Sequence, residues 1–129
     1  MREIRKIVFT CFAFAMCFTP VFAREIGYFD NFEVTGKFWN KTEYLTKCND
    51  YGYIVNLENS RNHAGIRILQ CIVNSNGDER SDRQYATCGY RYAFADRTTR
   101  GYVYALKLKR ENFIDGKIRI LGSWSPDEA

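Results

Sequence analysis

The chain has 129 residues, of which 26% are charged, and a formal net charge of +4. Residues 1–23 carry three basic residues and one acidic residue, so 16 basic and 14 acidic residues remain without them, a net charge of +2. So small an excess argues against nucleic-acid binding driven by a strong positive field, which needs a clustered basic face.

Residues 1–23 have the pattern of a secretory signal peptide that is cleaved after Ala23. Basic residues occur within the first six positions, and a 12-residue apolar run follows and ends at Phe18. The alternative is an uncleaved membrane anchor, but a spanning helix needs about 20 apolar residues. We therefore expect a secreted or periplasmic protein with one β-rich domain, residues 24–129, and no stable membrane insertion after cleavage.

Three cysteines remain after such a cleavage: Cys48, Cys71 and Cys88. An oxidising compartment predicts one disulfide and one leftover thiol. Cys71 and Cys88 flank the polar segment 74–84 and would enclose 16 residues, a closure worth about 3 kcal/mol in the chain-entropy model. We predict this pairing, with Cys48–Cys71 as its rival.

Short runs of β-forming residues, separated by turn residues, dominate the rest of the chain. The expected strands lie within 29–39, 53–57, 66–73, 85–94 and 117–121. Residues 74–78 have turn composition, and a charged, solvated stretch continues to Arg83.

Residues 99–113 are ambiguous between a helix and a strand. Alternation of Tyr102, Tyr104, Leu106 and Leu108 is typical of a half-buried strand. The run 105–111, however, consists of good helix formers, and Gly116 could stop a helix. We predict a helix here.

The later part of the chain resembles a pattern in small secreted bacterial proteins. The residues that carry it are the segment Arg91–Phe94, Thr99, Gly101, the run 104–108 and the run Gly116–Gly122. Within about residues 85–122 the sequence is similar to the helix-then-strand segment of the binding subunits of pertussis-type and subtilase-type toxins. The resemblance implies an OB-like β-barrel with one helix near residues 99–113, and a toxin-like binding subunit that could be oligomeric.

The chain departs from this pattern in one respect. The related proteins often carry a cysteine soon after the last strand, whereas this chain has Gly122-Ser123-Trp124-Ser125 there. That bridge cannot form, so Cys88 needs another partner.

The aromatic side chains are the strongest candidates for ligand binding, since flat rings pack against sugar C–H faces and tyrosine hydroxyls form hydrogen bonds. The candidates are Trp39, Tyr51, Tyr53, Tyr85, Tyr90 and Tyr92. The alternative is that alternate members fill the core. OB-type barrels bind oligosaccharides or oligonucleotides on one face, and the small net charge favours oligosaccharides.

We therefore expect a binding protein with a glycan or protein partner, no cofactor, and no enzymatic activity. One alternative is a periplasmic inhibitor or immunity protein that acts through the charged loop 74–84. A second is a small secreted hydrolase using His63, Glu79 and Arg67, although any small basic protein offers such a trio. A single histidine and the absence of a Cys-x-x-Cys motif argue against a zinc site.

Overall fold

The computed structural model describes residues 24–58 and 64–128, and every regular element in them is a β-strand. None of the described segments forms a helix long and apolar enough to cross a membrane. The strands are β1 (Gly27–Val34), β2 (Asn40–Lys41), β3 (Leu45–Thr46), β4 (Tyr53–Leu57), β5 (Arg67–Asn74), β6 (Gln84–Thr87), β7 (Arg91–Phe94), β8 (Val103–Arg110) and β9 (Ile118–Ser125).

The strands form two antiparallel sheets. The first has the order β1-β9-β4-β7, and the second has the order β2-β8-β5-β6, with β3 also pairing with β8. Most connections cross from one sheet to the other, whereas β5 and β6 are neighbours in the same sheet. The architecture is therefore mainly β, as the turn-separated runs of β-forming residues predict.

One hydrophobic core lies between the two sheets, because its members come from both. The first sheet contributes Val55 and Trp124, and the second contributes Ile68, Ile72 and Leu106, all buried. These side chains alternate along each strand with residues that face outward, as the two-residue period of a strand requires.

The predicted helix near residues 99–113 is wrong, because Val103–Arg110 is strand β8. Tyr104, Leu106 and Leu108 all point into the core, and β8 pairs along its length with β5. Burying three large alternating side chains between the sheets outweighs the modest helix propensity of the intervening residues. The alternation of Tyr102, Tyr104, Leu106 and Leu108 therefore indicated this strand correctly.

The expected barrel is also not present, because the two antiparallel sheets do not close on each other in the described residues. The helix-then-strand arrangement that the toxin resemblance implies is replaced by strand, loop and strand in residues 103–125. The predicted signal peptide, 1–23, and His63 lie outside the described residues.

The predicted Cys71–Cys88 disulfide is absent, and all three described cysteines are free. Cys88 packs in the main core, whereas Cys71 packs with Val73 on the outer face of the second sheet. The amide of Cys88 bonds to the carbonyl of Ile66, five residues from Cys71 along β5, or about 16 Å. A disulfide needs Cα atoms within about 7 Å.

The rival Cys48–Cys71 pair is separated in a similar way. The amide of Lys47 bonds to the carbonyl of Tyr102, whereas Cys71 lies opposite Lys107, five residues further along β8. Neither predicted pairing fits this register.

Candidate ligand-binding site

Tyr53 is a core residue and not a surface for ligands. Its ring is fully buried, and its hydroxyl donates to Oε1 of Gln70 at 2.8 Å and lies 3.1 Å from Oγ of Ser81. Burial raises the pKa of Tyr53 far above its usual range, so the hydroxyl stays protonated. Tyr53 joins the two sheets through this buried polar contact.

Tyr90, just before strand β7, and Tyr92 and Phe94, within it, form an aromatic row. Tyr92 is half-buried, stacks on Phe94 with ring centroids 5.5 Å apart, and accepts a hydrogen bond from the amide of Thr87. Tyr90 is exposed, and its ring centroid lies 6.4 Å from that of Tyr92. Tyr92 therefore belongs to the rim of the core, and only Tyr90 offers a free ring face.

Tyr51 is exposed but lies at the other end of β7 from Tyr90. Tyr53 pairs with Phe94, whereas the amide of Leu57 bonds to the carbonyl of Tyr90. Since β4 runs between these two points, Tyr51 and Tyr90 cannot bind one small ligand together.

Trp39 lies on the outer face of the second sheet, beside three cationic side chains. Nζ of Lys107 is 4.5 Å from its ring centroid, Cζ of Arg83 is 5.1 Å away, and Nζ of Lys109 is 5.2 Å away. We call Trp39, Arg83, Lys107 and Lys109 the Trp39 cluster. Tyr85, on β6, lies apart from this cluster, with Cζ of Arg67 4.2 Å from its ring centroid. The six predicted aromatic residues are therefore dispersed over the core, the two ends of β7, β6 and the Trp39 cluster.

A cavity of about 520 Å³ opens at one end of the second sheet, and we call it the end cavity. One wall is the turn after β5, and the other is the segment that leads into β8. The polar and aromatic residues around it include Asn74, Asn76, Arg80, Arg97, Thr99 and Tyr102.

The first wall is held by Asn74. Its Oδ1 accepts hydrogen bonds from the amides of Asn76 and Asp78, at 3.0 and 2.9 Å. Gly77 takes the left-handed conformation, with φ of +87°, that this turn requires. The side-chain oxygen of Asn74 is therefore engaged by the turn, whereas Asn76 lines the cavity.

The second wall is held by Asp96 and Tyr104. Oδ1 of Asp96 accepts hydrogen bonds from the amide and hydroxyl of Thr98, and the Tyr104 hydroxyl accepts one from the amide of Thr99 at 2.8 Å. The amide of Arg97 donates to the carbonyl of Arg80 at 2.7 Å, which joins the two walls. The backbone of the cavity is therefore preorganised.

Lys47 is a buried residue that contacts Asp96 of the second wall. Its side chain is 1% exposed, and Nζ donates to the carbonyls of Tyr51, Gly52 and Pro126. Nζ also lies 3.7 Å from Oδ2 of Asp96 and 3.8 Å from Oδ1 of Asp127. A buried ammonium needs this number of partners to offset its lost hydration, so Lys47 fixes Asp96 in place.

Two guanidinium groups give the end cavity its chemistry. In the described residues the Arg80 side chain forms no hydrogen bond or ion pair, whereas Arg97 pairs with Asp82 at 3.2 Å with both side chains exposed. An exposed pair of this kind is weak. Guanidinium groups bind carboxylates through two parallel hydrogen bonds, so the cavity suits an anionic group.

Tyr102 adds a flat apolar surface to the same cavity. The residue is 65% exposed. Gly101, with φ of +96°, turns the chain just before it. A ring this open can stack on the C–H face of a sugar while its hydroxyl remains free to hydrogen bond.

Glu79 and Arg67, the two described members of the possible hydrolase trio with His63, lie far apart. Arg67 pairs with Glu111, whereas Glu79 pairs with Arg83 and Lys107. Glu79 bridges to Val73, six residues along β5 from Arg67, or about 20 Å. Among the described residues no group of three His, Cys, Asp or Glu side chains is placed to hold a metal ion.

No pattern in the sequence marks Arg80, Arg97 or Tyr102 as a binding residue. Arg80 stood within the charged loop 74–84, and Tyr102 within the ambiguous segment 99–113. Their common location depends on the turn after β5 meeting the start of β8, which no local pattern shows.

Comparison with known proteins gives no relative for this chain. No protein-family model matches the sequence, and no match was found among the curated proteins or among the solved structures.

Proposed function

We propose that the chain is an exported, non-catalytic binding protein whose end cavity holds an acidic sugar of a glycan. The observation that carries this proposal is the placement of Arg80, Arg97 and the open ring of Tyr102 around one preorganised cavity. Export rests on the predicted signal peptide, 1–23, and the lack of catalysis rests on the absence of a catalytic motif in the sequence.

An acidic sugar fits the cavity better than a neutral one. A carboxylate can pair with Arg80, whose guanidinium has no other partner in the described residues, while the ring stacks on Tyr102. Thr99 and Asn76 supply the hydroxyl and amide groups that hydrogen bond to sugar hydroxyls. A volume of about 520 Å³ lies in the range of small-molecule sites.

The test is a glycan array probed with the exported chain, followed by titration of the best acidic glycan and its neutral counterpart. Arg80→Gln should weaken binding about 10- to 100-fold, because a hydrogen bond to a charged group contributes about 1.5–3 kcal/mol. Arg91→Gln is the matched control, since Arg91 is exposed on β7 of the other sheet. It should leave the affinity unchanged.

Two results would contradict the proposal. The first is an array without any signal from a chain that circular dichroism shows to be folded. The second is equal binding of acidic and neutral glycans by both the parent chain and Arg80→Gln. The N-terminal residue of the exported sample is read by mass spectrometry in the same preparation, and Arg24 is expected.

A protein inhibitor acting through the charged loop 74–84 is the second candidate. Residues 75–78 and 82–84 are exposed, whereas Ser81 is buried and bonds to Tyr53 and to the amide of Ile72. The loop is thus anchored in its middle and open on both sides, as a rigid inhibitory loop requires. Capture of a protein partner that is lost on replacing residues 75–78, with no glycan bound, would favour this candidate.

A further inference from the structure

Two loops at the opposite end of β8 place three large apolar side chains in solvent. The loop 35–39 carries Phe38, which is 71% exposed, and the loop 111–117 carries Phe113 and Ile114, which are 67% and 89% exposed. They flank a shallow cleft of about 470 Å³ whose lining is mostly apolar. We call these three residues the apolar tip.

Backbone hydrogen bonds fasten the two loops to each other. The amide of Gly36 donates to the carbonyl of Asp115 at 3.0 Å, and the amide of Arg110 donates to the carbonyl of Thr35 at 2.8 Å. Oδ2 of Asp115 accepts a bond from the amide of Asn112, which closes the second loop on itself. The apolar tip is therefore held in an exposed position by a rigid support.

Lysine side chains lie close to the apolar tip. Nζ of Lys37 lies 5.8 Å from the ring centroid of Phe113, and Lys117 also lines the cleft. Trp39 follows Phe38 in the chain and belongs to the Trp39 cluster. Lys109, which lies over the Trp39 ring, brings a further positive charge to this end, because β2 and β8 pair next to it. In the described part of the chain, neither Lys37 nor Lys109 forms an ion pair.

The acidic residues near the apolar tip are already engaged. Asp115 accepts the Asn112 amide, and Glu33 pairs with Arg119 at 3.0 Å and with Lys117 at 3.7 Å. Glu111 pairs with Arg67. Asp115 keeps its negative charge, because an amide hydrogen bond does not neutralise a carboxylate, and it also lines the cleft. Lys37 and Lys109 are therefore the lysines at this end that form no ion pair among the described residues.

We propose that the apolar tip docks on an anionic phospholipid bilayer, with Phe38, Phe113 and Ile114 entering the interface and the nearby lysines contacting lipid phosphates. Apolar residues that project from two loops, with lysines nearby whose stems can lie along the interface, match this surface. The contact is peripheral, so it requires no membrane-spanning segment and goes beyond the proposed glycan site.

A protein partner fits these observations less well. An interface between proteins needs a patch whose centre is depleted of charge and a complementary partner surface. Here Nζ of Lys37 lies 5.8 Å from the ring centroid of Phe113, within the apolar tip itself. The two unpaired lysines are Lys37, beside Phe113, and Lys109, beside Trp39, and positive charge at more than one point near the patch favours contact with a uniformly negative plane.

The test is co-sedimentation of the exported chain with vesicles of phosphatidylcholine, with and without phosphatidylglycerol. We expect binding only when phosphatidylglycerol is present, with an affinity that falls as salt is added. Phe113→Ala together with Ile114→Ala should lower the affinity at least tenfold. Tyr28→Ala is the matched control, because Tyr28 is 77% exposed at the far end of β1 and should not matter.

Trp39 provides a second measurement in the same sample. Trp124, the other tryptophan of the chain, is buried in the core, so a spectral change on adding vesicles reports on Trp39. Since Trp39 follows Phe38 directly, its emission should shift to shorter wavelength with phosphatidylglycerol vesicles and stay constant with neutral ones.

Binding to neutral vesicles alone, or binding that the double alanine variant retains, would overturn the proposal. So would self-association by light scattering that the same variant abolishes, without any vesicle binding. Arg80→Gln should bind phosphatidylglycerol vesicles like the parent chain, so failure of the glycan site and failure of membrane docking are separately visible.

Discussion

Glu79 is the residue whose ionisation the fold uses most clearly. Its carboxylate accepts hydrogen bonds from Arg83 and lies 2.9 Å from Nζ of Lys107. These bonds, those from Arg83 first, lower the pKa of Glu79 from 4.5 to about 2, against the opposing effect of burial. The carboxylate thereby holds two cations of the Trp39 cluster in place.

This shift predicts a loss of stability in acid. Because the folded-state pKa is depressed, the contribution is complete above the unfolded value of 4.5 and disappears as the pH falls towards about 2. The Glu79 and Arg83 side chains are both partly exposed, so screening by solvent limits the stabilisation to about 1 kcal/mol. Urea unfolding at pH 7 and pH 3 should show a smaller difference for Glu79→Gln than for the parent chain.

The control for this measurement is Glu43→Gln, which replaces an exposed glutamate without an ion pair among the described residues. It should keep the parent chain's dependence on pH. An equal loss of pH dependence in both variants would show that Glu79 has no special part in acid sensitivity.

For single residues, the sequence indicates which side chains have the chemistry to bind a ligand. It does not indicate which of them are exposed to solvent and which are buried in the core. Tyr53 begins a run of β-forming residues and Tyr102 begins the alternating run 102–108, yet the first is in the core and the second is 65% exposed. Alternation assigns Tyr53 to a strand but does not say which face meets the other sheet. That choice is made by the pairing of β4 with β9 and β7.

At the scale of elements, the junction of the two loops that carry the apolar tip depends on Gly36. A Cβ atom at this position would lie 1.9 Å from the backbone oxygen of Asn112. Gly36→Ala must therefore push the loops apart, and we expect a loss of about 1–3 kcal/mol in the free energy of unfolding. Urea denaturation measures it.

Gly116→Ala is the matched variant in the same pair of loops. A Cβ atom at Gly116 would meet nothing within 4 Å, so the free energy of unfolding should change by less than about 0.5 kcal/mol. Equal destabilisation by the two alanines would mean that the close approach at Gly36 does not support the junction.

Strand β8 shows why the elements were only partly predictable. Its residues 105–111 favour a helix when considered one at a time, and its alternation favours a strand when considered together. Pairing with both β5 and β2 supplies backbone hydrogen bonds that an isolated segment lacks. Tertiary pairing therefore decided the conformation, whereas local propensity predicted the opposite.

For the whole molecule, β8 separates the two proposed surfaces. Val103, at its start, lines the end cavity, and Arg110, at its end, bonds to Thr35 of the loop that carries Phe38. Eight strand residues span about 25 Å. With the apolar tip on a bilayer, the end cavity therefore lies at the far end of β8 from the lipid, where a glycan can reach it.

Within residues 24–58 and 64–128, the two sheets are held together by their core and not by a disulfide. Cys71 and Cys88 are buried on opposite faces of the second sheet, and burial raises the pKa of Cys71 to about 11 and also raises that of Cys88. Both thiols thus remain protonated and unreactive at neutral pH, because the thiolate is the reactive form.

The thermal midpoint should accordingly be the same with and without a thiol reductant. In the native chain Cys48, which is half-buried, should react first with a thiol reagent, and slowly, because burial and the nearby Asp127 carboxylate raise its pKa. Cys71 and Cys88 should react only after unfolding in urea. A midpoint lowered by reductant, or a peptide map that joins Cys71 to Cys88, would require a register of β5 and β6 different from the one described.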